Sequence, residues 1–393
     1  MTGRSRSGRP ALWPAYFATF TLALGVWAAG IAVPLQVLDL GGSPAEAGVI
    51  AALRFGLAAF LSLPFGVIAD SWGIRRTVVL GVIGSAVVNL IPILATTTGS
   101  QLPLFAWAML SGVAGSMVSP ALGAFIVGAA PDARRGSAFG WLTFAGHTGA
   151  ALGPAAGGLL FQHFGPNQTY LFASGAALTA LVAPLVMRAS VRTHAQFRQL
   201  PAMVRAVGRN RIIAGCWIMA VSVGLPWGAV AGLFPLFGTS VGMSAGLIGI
   251  ILAAQSVANG LSRLPLGRLL DRRRIPAQAT AASAITYAVL VSLLGAQTSP
   301  WAIGGVLVLS VLAIAFTVLL IQVKVSEQAP AELRATALGG YSATLSAGLG
   351  LGPVLAGTVA TVSGYPAAFL AVSSAGALFA VAGAVVLVRR AGA

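Results

Sequence analysis

The chain has 393 residues, of which 57% are hydrophobic and only 8% charged. A soluble domain carries about 25% charged residues, and no packed core of this length could hide so much apolar surface behind so little charge. Lipid as the solvent removes the contradiction, so the composition excludes a large soluble α/β protein and points to a membrane protein. The net charge of +16 would by itself suit nucleic acid, but the placement of the arginines gives it another meaning. The one cysteine, Cys216, lies in an apolar run, so neither an internal disulfide nor a cysteine-based metal cluster can be built.

In chain order, Arg4, Arg6 and Arg9 come first and precede the apolar run Ala11–Leu38. That run is about twice the length of the apolar core of a signal peptide, and more spans follow, so it reads as a first membrane helix. A spanning helix needs about 20 apolar residues. Windows of that size predict twelve spans, at 12–38, 46–67, 76–97, 103–128, 138–161, 169–188, 212–237, 245–267, 277–297, 300–323, 335–361 and 366–388. The expected architecture is an all-α membrane protein made of two six-helix bundles. The domains are 1–188, a basic linker at 189–211, and 212–393.

The positive residues set the expected topology. Arg75, Arg76, Arg134, Arg135, the linker arginines, Arg268, Arg272, Arg273, Arg274, Lys324, Arg334, Arg389 and Arg390 all fall on even-numbered connections or the C-terminus. The odd-numbered connections, such as Asp39–Ala45 and Gln162–Gln168, hold no Lys or Arg. The positive-inside rule then places both termini in the cytoplasm. The basic charge is a topology signal and a lipid-headgroup contact, not a nucleic-acid footprint.

The two halves are copies. Pro64, Gly66 and Asp70 match Pro265, Gly267 and Asp271 at an offset of 201, as Pro34-Leu35 matches Pro235-Leu236. Pro131 and Arg135 match Pro330 and Arg334 at 199, and Gly153-Pro154 and Gly158 match Gly352-Pro353 and Gly357 at 199. Two six-span units in the same orientation suit a transporter that rocks around a central site.

The stretch Pro64–Arg76, PFGVIADSWGIRR, resembles the loop signature that follows the second span in the major facilitator superfamily. Gly66, Asp70, Gly73, Arg75 and Arg76 carry the resemblance, with Asp271 and Arg272–Arg274 as a weaker second copy. The resemblance implies the twelve-helix major facilitator fold. It also implies a cytoplasmic latch in which Asp70 sits at the positive N-terminal end of the eleventh span, near Ala335–Thr336, and Asp271 at the fifth, near Gly136–Ser137. The alternative is that both acids merely neutralise adjacent arginines. Both glycines are expected to permit a tight turn. Gly149, Gly153, Pro154, Gly157 and Gly158 resemble the family's antiporter motif, associated with exporters of drugs and other small molecules. Gly149, Gly153 and Gly157 make one smooth face at four-residue spacing, which also suits ordinary close packing of helices, and the eleventh span repeats the pattern. Two family features are missing: the fourth span has no Arg before Gly112, and the first has no embedded acid.

Ionisable groups inside the bilayer are costly and rank as functional candidates. Arg54 lies about 12 Å below the outer surface, at 1.5 Å per helical residue counted from Glu46. Its repeat equivalent is Gln255, which shares a face with Asn259 and Arg263, so a polar face in each half suits a shared cavity. Arg54 could instead snorkel outward and pair with Asp39 or Glu46. His147, about ten residues into the fifth span, could titrate near neutral pH or rest against a carbonyl. Trp27, Trp107, Trp217, Trp227, Met109, Met117 and Met219 are candidates for an apolar lining, or for packing and lipid contact. All seven acids lie near span ends, which favours neutral or anionic amphiphiles over simple cations.

No stretch ends in GK[ST] and no catalytic cluster is present, so neither ATP drive nor enzyme chemistry is expected, and no cofactor. The expected function is export of small amphiphilic molecules by proton antiport, through His147 or through Asp39 and Glu46 coupled to Arg54, in a monomer. Alternatives are a uniporter or importer of a sugar or organic anion, and a non-transporting membrane sensor or scaffold. Arginine outnumbers lysine 22 to one, which points to a GC-rich bacterial source, and the spans then imply a multi-pass protein of the bacterial plasma membrane.

Overall fold

The computed structural model describes residues 11–131, 134–187, 200–272, 277–330 and 333–388; the side chains at 62–64, 66–71, 135–136, 200–203, 264, 267–272, 277 and 335 are not among those described. The described chain is helical throughout. The first half holds α1 (Trp13–Asp39), α2 (Pro44–Trp72), α3 (Ile74–Val88), α4 (Ile93–Thr98), α5 (Leu102–Ala129), α6 (Arg135–Phe164), α7 (Pro166–Thr179) and α8 (Val182–Val186). Then come α9 (Leu200–Gly208), α10 (Arg211–Ser240), α11 (Ala245–Arg272), α12 (Ala277–Leu294), α13 (Pro300–Gln328) and α14 (Arg334–Val388).

Helices are what a dry environment permits, because each backbone donor and acceptor must be satisfied inside its own segment. The hydroxyls follow the same logic and turn back on their own helix. Thr19 Oγ1 donates to the Ala15 carbonyl at 2.8 Å, and Ser310 Oγ to that of Leu307 at 2.7 Å. Large apolar side chains point outward, with Trp301 83% exposed and Val362 86%, as a lipid-facing surface requires.

Among the described residues, nine helices are long and apolar enough to cross a membrane. The twelve predicted windows differ from these nine by α6, by the shorter α12, and by a split of α14 at Gly364. Gly364 has φ 79° and ψ 172°, which breaks the helical path. Gly165 at φ 85° and ψ −178° separates α6 from α7 in the same way, and the two glycines are 199 positions apart. A second matched pair ends α1 and α10. Gly41 and Gly242 both have positive φ, and the next residue donates back to the helix, Gly42 to Val37 and Met243 to Gly238. Each of these is a Schellman-type ending that only glycine adopts without strain.

One expectation needs correction. Pro64–Trp72 is not a turn: α2 runs through it, Gly66 is helical, and the turn is confined to Gly73 at φ +93°. The run is apolar enough to stay helical, and only the residue that needs left-handed backbone has to break it. Within the basic linker at 189–211, α9 occupies Leu200–Gly208 and buries Val207 in the core of the second half. Asn210 then caps α10 by accepting from the Ile212 amide at 3.0 Å.

The halves meet through two pseudo-symmetric crossings at one end of the bundle. In the first, Gly48 of α2 lies against Pro353 and Gly357 of α14 so closely that an added Cβ would strike the Pro353 carbonyl. In the second, Gly249 of α11 lies against Pro154 of α6, and Gly158 against Ala245. Each crossing carries a matching hydrogen bond between halves. The Ala45 amide donates to Thr361 Oγ1 at 3.1 Å, and the Gly246 amide to Gln162 Oε1 at 2.9 Å. These are first-turn N–H groups that their own helices cannot satisfy. Leu35 of α1 is buried in the second half's core, and its repeat mate Leu236 of α10 in the first half's. Further along the same two helices as the crossing glycines, Phe60 is 77% exposed and Leu261 65%.

Two outcomes are expected. Gly158→Leu should force the α6–α11 crossing apart, because a side chain there meets backbone. Spin labels at Thr98 and Thr298, read by pulsed electron resonance, should report a longer distance between the halves than in the parent protein; an unchanged distribution would contradict the crossing. Gly364→Ala places a Cβ in glycine-only backbone at a cost of about 1–3 kcal/mol and should lower the melting temperature in detergent. Gly175→Ala, in open space within α7, should not.

Candidate functional site: a cavity between the two halves

Beyond the crossings the two halves enclose a cavity of about 510 Å3. This lies within the range of small-molecule sites. The walls come from α1, α2, α5 and α6 on one side and from α10 to α13 on the other. Trp27, Phe55, Trp107 and Trp227 supply aromatic wall. Arg54, His147, Gln255, Ser256 and Asn259 supply the polar groups. The polar faces of α2 and α11, separate in sequence, thus look into one space.

Arg54 is held by apolar and neutral groups. Its guanidinium carbon lies 5.2 Å from the centre of the Trp107 ring and 5.4 Å from that of Phe55. Such cation–π contacts strengthen as water is removed. Nη2 donates to the Val26 carbonyl of α1 at 3.2 Å. Trp107 is 2% exposed, and its Nε1 donates to Asn89 Oδ1 at 3.1 Å, which fixes the ring on which Arg54 rests. Gly30 leaves the room: a Cβ there would come within 3.0 Å of Nη1.

Asp39 and Glu46, expected as partners of Arg54, are not brought to it. The Glu46 carboxylate accepts from the Ser43 amide at 2.7 Å and from Ser43 Oγ at 3.0 Å, closing a capping box on α2. A Ser three residues before a Glu was the signal for this. Asp39 is exposed at the end of α1. Among the described residues no Asp or Glu lines the cavity, and no group of three His, Cys, Asp or Glu could hold a metal ion.

His147 reaches the cavity from α6, and its ring makes no hydrogen bond among the described residues. On α11, Arg263 Nε donates to Asn259 Oδ1 at 3.4 Å, so this arginine is engaged along its own helix. Tyr287 of α12, 2% exposed, also lines the cavity. Nothing local in its sequence marks it for that position.

The glycine face of α6 is a packing surface. Gly149, Gly153 and Gly157 abut the carbonyls of Phe20, Leu24 and Ala28 on α1, one turn of α1 for each turn of α6. Pro154 and Gly158 point the other way and carry the contact with α11. In the second half Gly352 abuts the Leu225 carbonyl of α10, while Pro353 meets Gly48. Other expected lining residues lie elsewhere. Met219 is fully buried in the core, Met109 is 48% exposed, and Trp217 donates to the Ala337 carbonyl at 3.0 Å while packing on Gly340. Met117 is not among the lining residues either. All sit on faces of their helices that turn away from the cavity. Arg75 and Arg76 are exposed at the start of α3. The side chains of Asp70, Asp271 and Arg272, and those at positions 136 and 335 in the helix starts they were expected to meet, lie outside the described residues.

The family model of the Major Facilitator Superfamily matches residues 15–344. A protein of Escherichia fergusonii named multidrug resistance protein MdtG is 26% identical over 284 residues, 69% of this chain and 68% of its own. One of the same name from Citrobacter koseri is 26% identical over 69% of each chain. Among solved structures, a bacterial homologue of the human lysosomal transporter Spinster, inward-facing and occupied, superposes with a TM-score of 0.79 at 16% identity, covering 96% of this chain and 95% of that one. The nucleoside transporter NupG gives 0.74 at 16% identity, covering 96% and 99%. The helical fold, the paired halves, the cavity between them and the match of the family model along most of the chain agree: this chain belongs to the major facilitator superfamily, and is a multi-pass transporter of the bacterial inner membrane rather than an enzyme.

Proposed function

We propose that this protein exports small amphiphilic molecules from the cytoplasm by alternating access, with proton antiport as the driving force. The observation that carries the reading is the cavity itself. It lies between two pseudo-symmetric halves, is walled by Trp27, Trp107 and Trp227, and is closed at one end by the Gly48 and Gly249 crossings. With twelve spans and both termini cytoplasmic, that closed end faces outward and the cavity is filled from inside. Relatives named for multidrug resistance support the export direction. A monomer contains both halves and needs no partner beyond substrate, protons and lipid.

His147 is the proposed proton carrier, being the group lining the cavity whose ordinary pKa lies near neutrality. Asp70 and Asp271, with Arg75, Arg76 and Arg272 beside them, are the proposed latch at the cytoplasmic end, each acid at the start of a helix of the other half. Breaking the outer crossings while engaging this latch would complete the alternation.

Proteoliposomes with the cytoplasmic face outward and an acidic lumen test the coupling. Substrates found by screening a deletion and overexpression pair should accumulate inside and make the lumen more alkaline. His147→Asn should cut pH-driven accumulation about tenfold or more while leaving exchange down a concentration gradient intact. Accumulation with no change in luminal pH would replace antiport by uniport.

A further inference from the structure

A guanidinium carries five N–H donors in a planar fork. The protein takes one of Arg54's, through the Val26 carbonyl, and covers the cation with the faces of Trp107 and Phe55. The remaining donors have no protein acceptor among the described residues, yet the group stands on the wall of a cavity with no lining carboxylate. A permanent positive charge kept in an apolar span without a counter-ion is expensive to retain. Much of the surrounding structure nonetheless serves to hold it there. Asn89 orients Trp107, Trp107 supports the guanidinium, and Gly30 leaves space for Nη1. Among the described residues the opposite wall offers neutral polar groups, the amides of Gln255 and Asn259 and the hydroxyls of Ser256 and Tyr287, and the second half answers Arg54 with Gln255 at the equivalent position.

From this geometry we infer that the substrate class of the cavity is a monoanionic amphiphile. Its carboxylate, or an acid group of like shape, pairs with Arg54 and supplies the missing counter-ion. Its apolar body lies against Trp27 and Trp227. The inference rests on the reading of this cavity as the transport site and adds the charge of the molecule carried. A carboxylate matches the fork in two parallel hydrogen bonds, so it gains far more from Arg54 than an amide of the same shape. An ammonium ion would meet Arg54 with no acid to offset the repulsion. Asn89 is a positioning residue, acting on the substrate through Trp107 and Arg54.

Isothermal titration of the full-length protein in detergent, with naphthalene-2-acetate, naphthalene-2-acetamide and 2-(naphthalen-2-yl)ethylamine as probes, tests the charge preference at constant shape. The carboxylate should bind about tenfold or more tightly than the amide, and the amine most weakly. Arg54→Gln should bring carboxylate and amide to within about threefold, and Arg54→Lys should restore part of the difference. An amide affinity equal to that of the parent shows that Arg54→Gln is folded. If it is not, Gly30→Ala, which crowds Nη1, should weaken the carboxylate several-fold more than the amide. Equal binding of carboxylate and amide by the parent, tighter binding of the amine, no binding of the carboxylate, or a carboxylate preference that survives Arg54→Gln each overturns the inference. Selective binding of the carboxylate without its efflux from proteoliposomes would instead overturn the export reading and leave the anion site standing. Efflux of amide and carboxylate at equal rates would do the reverse.

Discussion

The architecture depends on backbone meeting backbone at two crossings, Gly48 against Pro353 and Gly357, and Gly249 against Pro154 with Gly158. Lipid tails are as apolar as leucine, so helices in a membrane gain little by hiding hydrocarbon from each other. What holds them is dense contact and the few hydrogen bonds available. Residues without side chains let α2 and α14, and α6 and α11, come close enough for both. At that distance the first-turn amides of Ala45 and Gly246 reach Thr361 and Gln162 in the opposite half. A larger side chain at any of these glycines would part the halves and open the end of the bundle they now close.

The crossings explain why the cavity is where it is. They join the halves at one end, and past them α2 and α11 leave their partners, with Phe60 and Leu261 exposed at equivalent positions. The space between collects the residues that lipid would reject. Arg54 is the most expensive of these, and its surroundings are arranged around it: a carbonyl, two aromatic faces, a glycine, and an asparagine that fixes one of the rings. The cavity is therefore aromatic in its walls and carries a guanidinium at one point of them.

Duplication does more than double the helix count. Gly165 and Gly364 break the chain at the same point of each repeat, and Gly41 and Gly242 end equivalent helices with the same hydrogen bond. Leu35 and Leu236 each cross into the other half's core. The offset of 199 that aligned Gly153-Pro154 with Gly352-Pro353 also aligns Gly165 with Gly364, each with a proline within two residues. That signal was present in the sequence, and it falls between the windows 335–361 and 366–388, where the helical path breaks.

The sequence by itself determined the solvent, the duplication, the helix boundaries to within a few residues, and the polar faces of the second and eighth spans that line the cavity. Those follow from composition, from periodicity and from offsets along one chain. Only the tertiary structure decided that Arg54 rests on Trp107 and Phe55 with neither Asp39 nor Glu46 beside it, that the run through Asp70 stays helical to Trp72, and that Met219 is core while Tyr287 is cavity wall. Helices of this kind are apolar on nearly every side, so hydrophobic patterning does not say which face turns inward. That choice is made by short-range fit between residues hundreds of positions apart, such as Gly48 and Pro353, and it exists only once the halves have met.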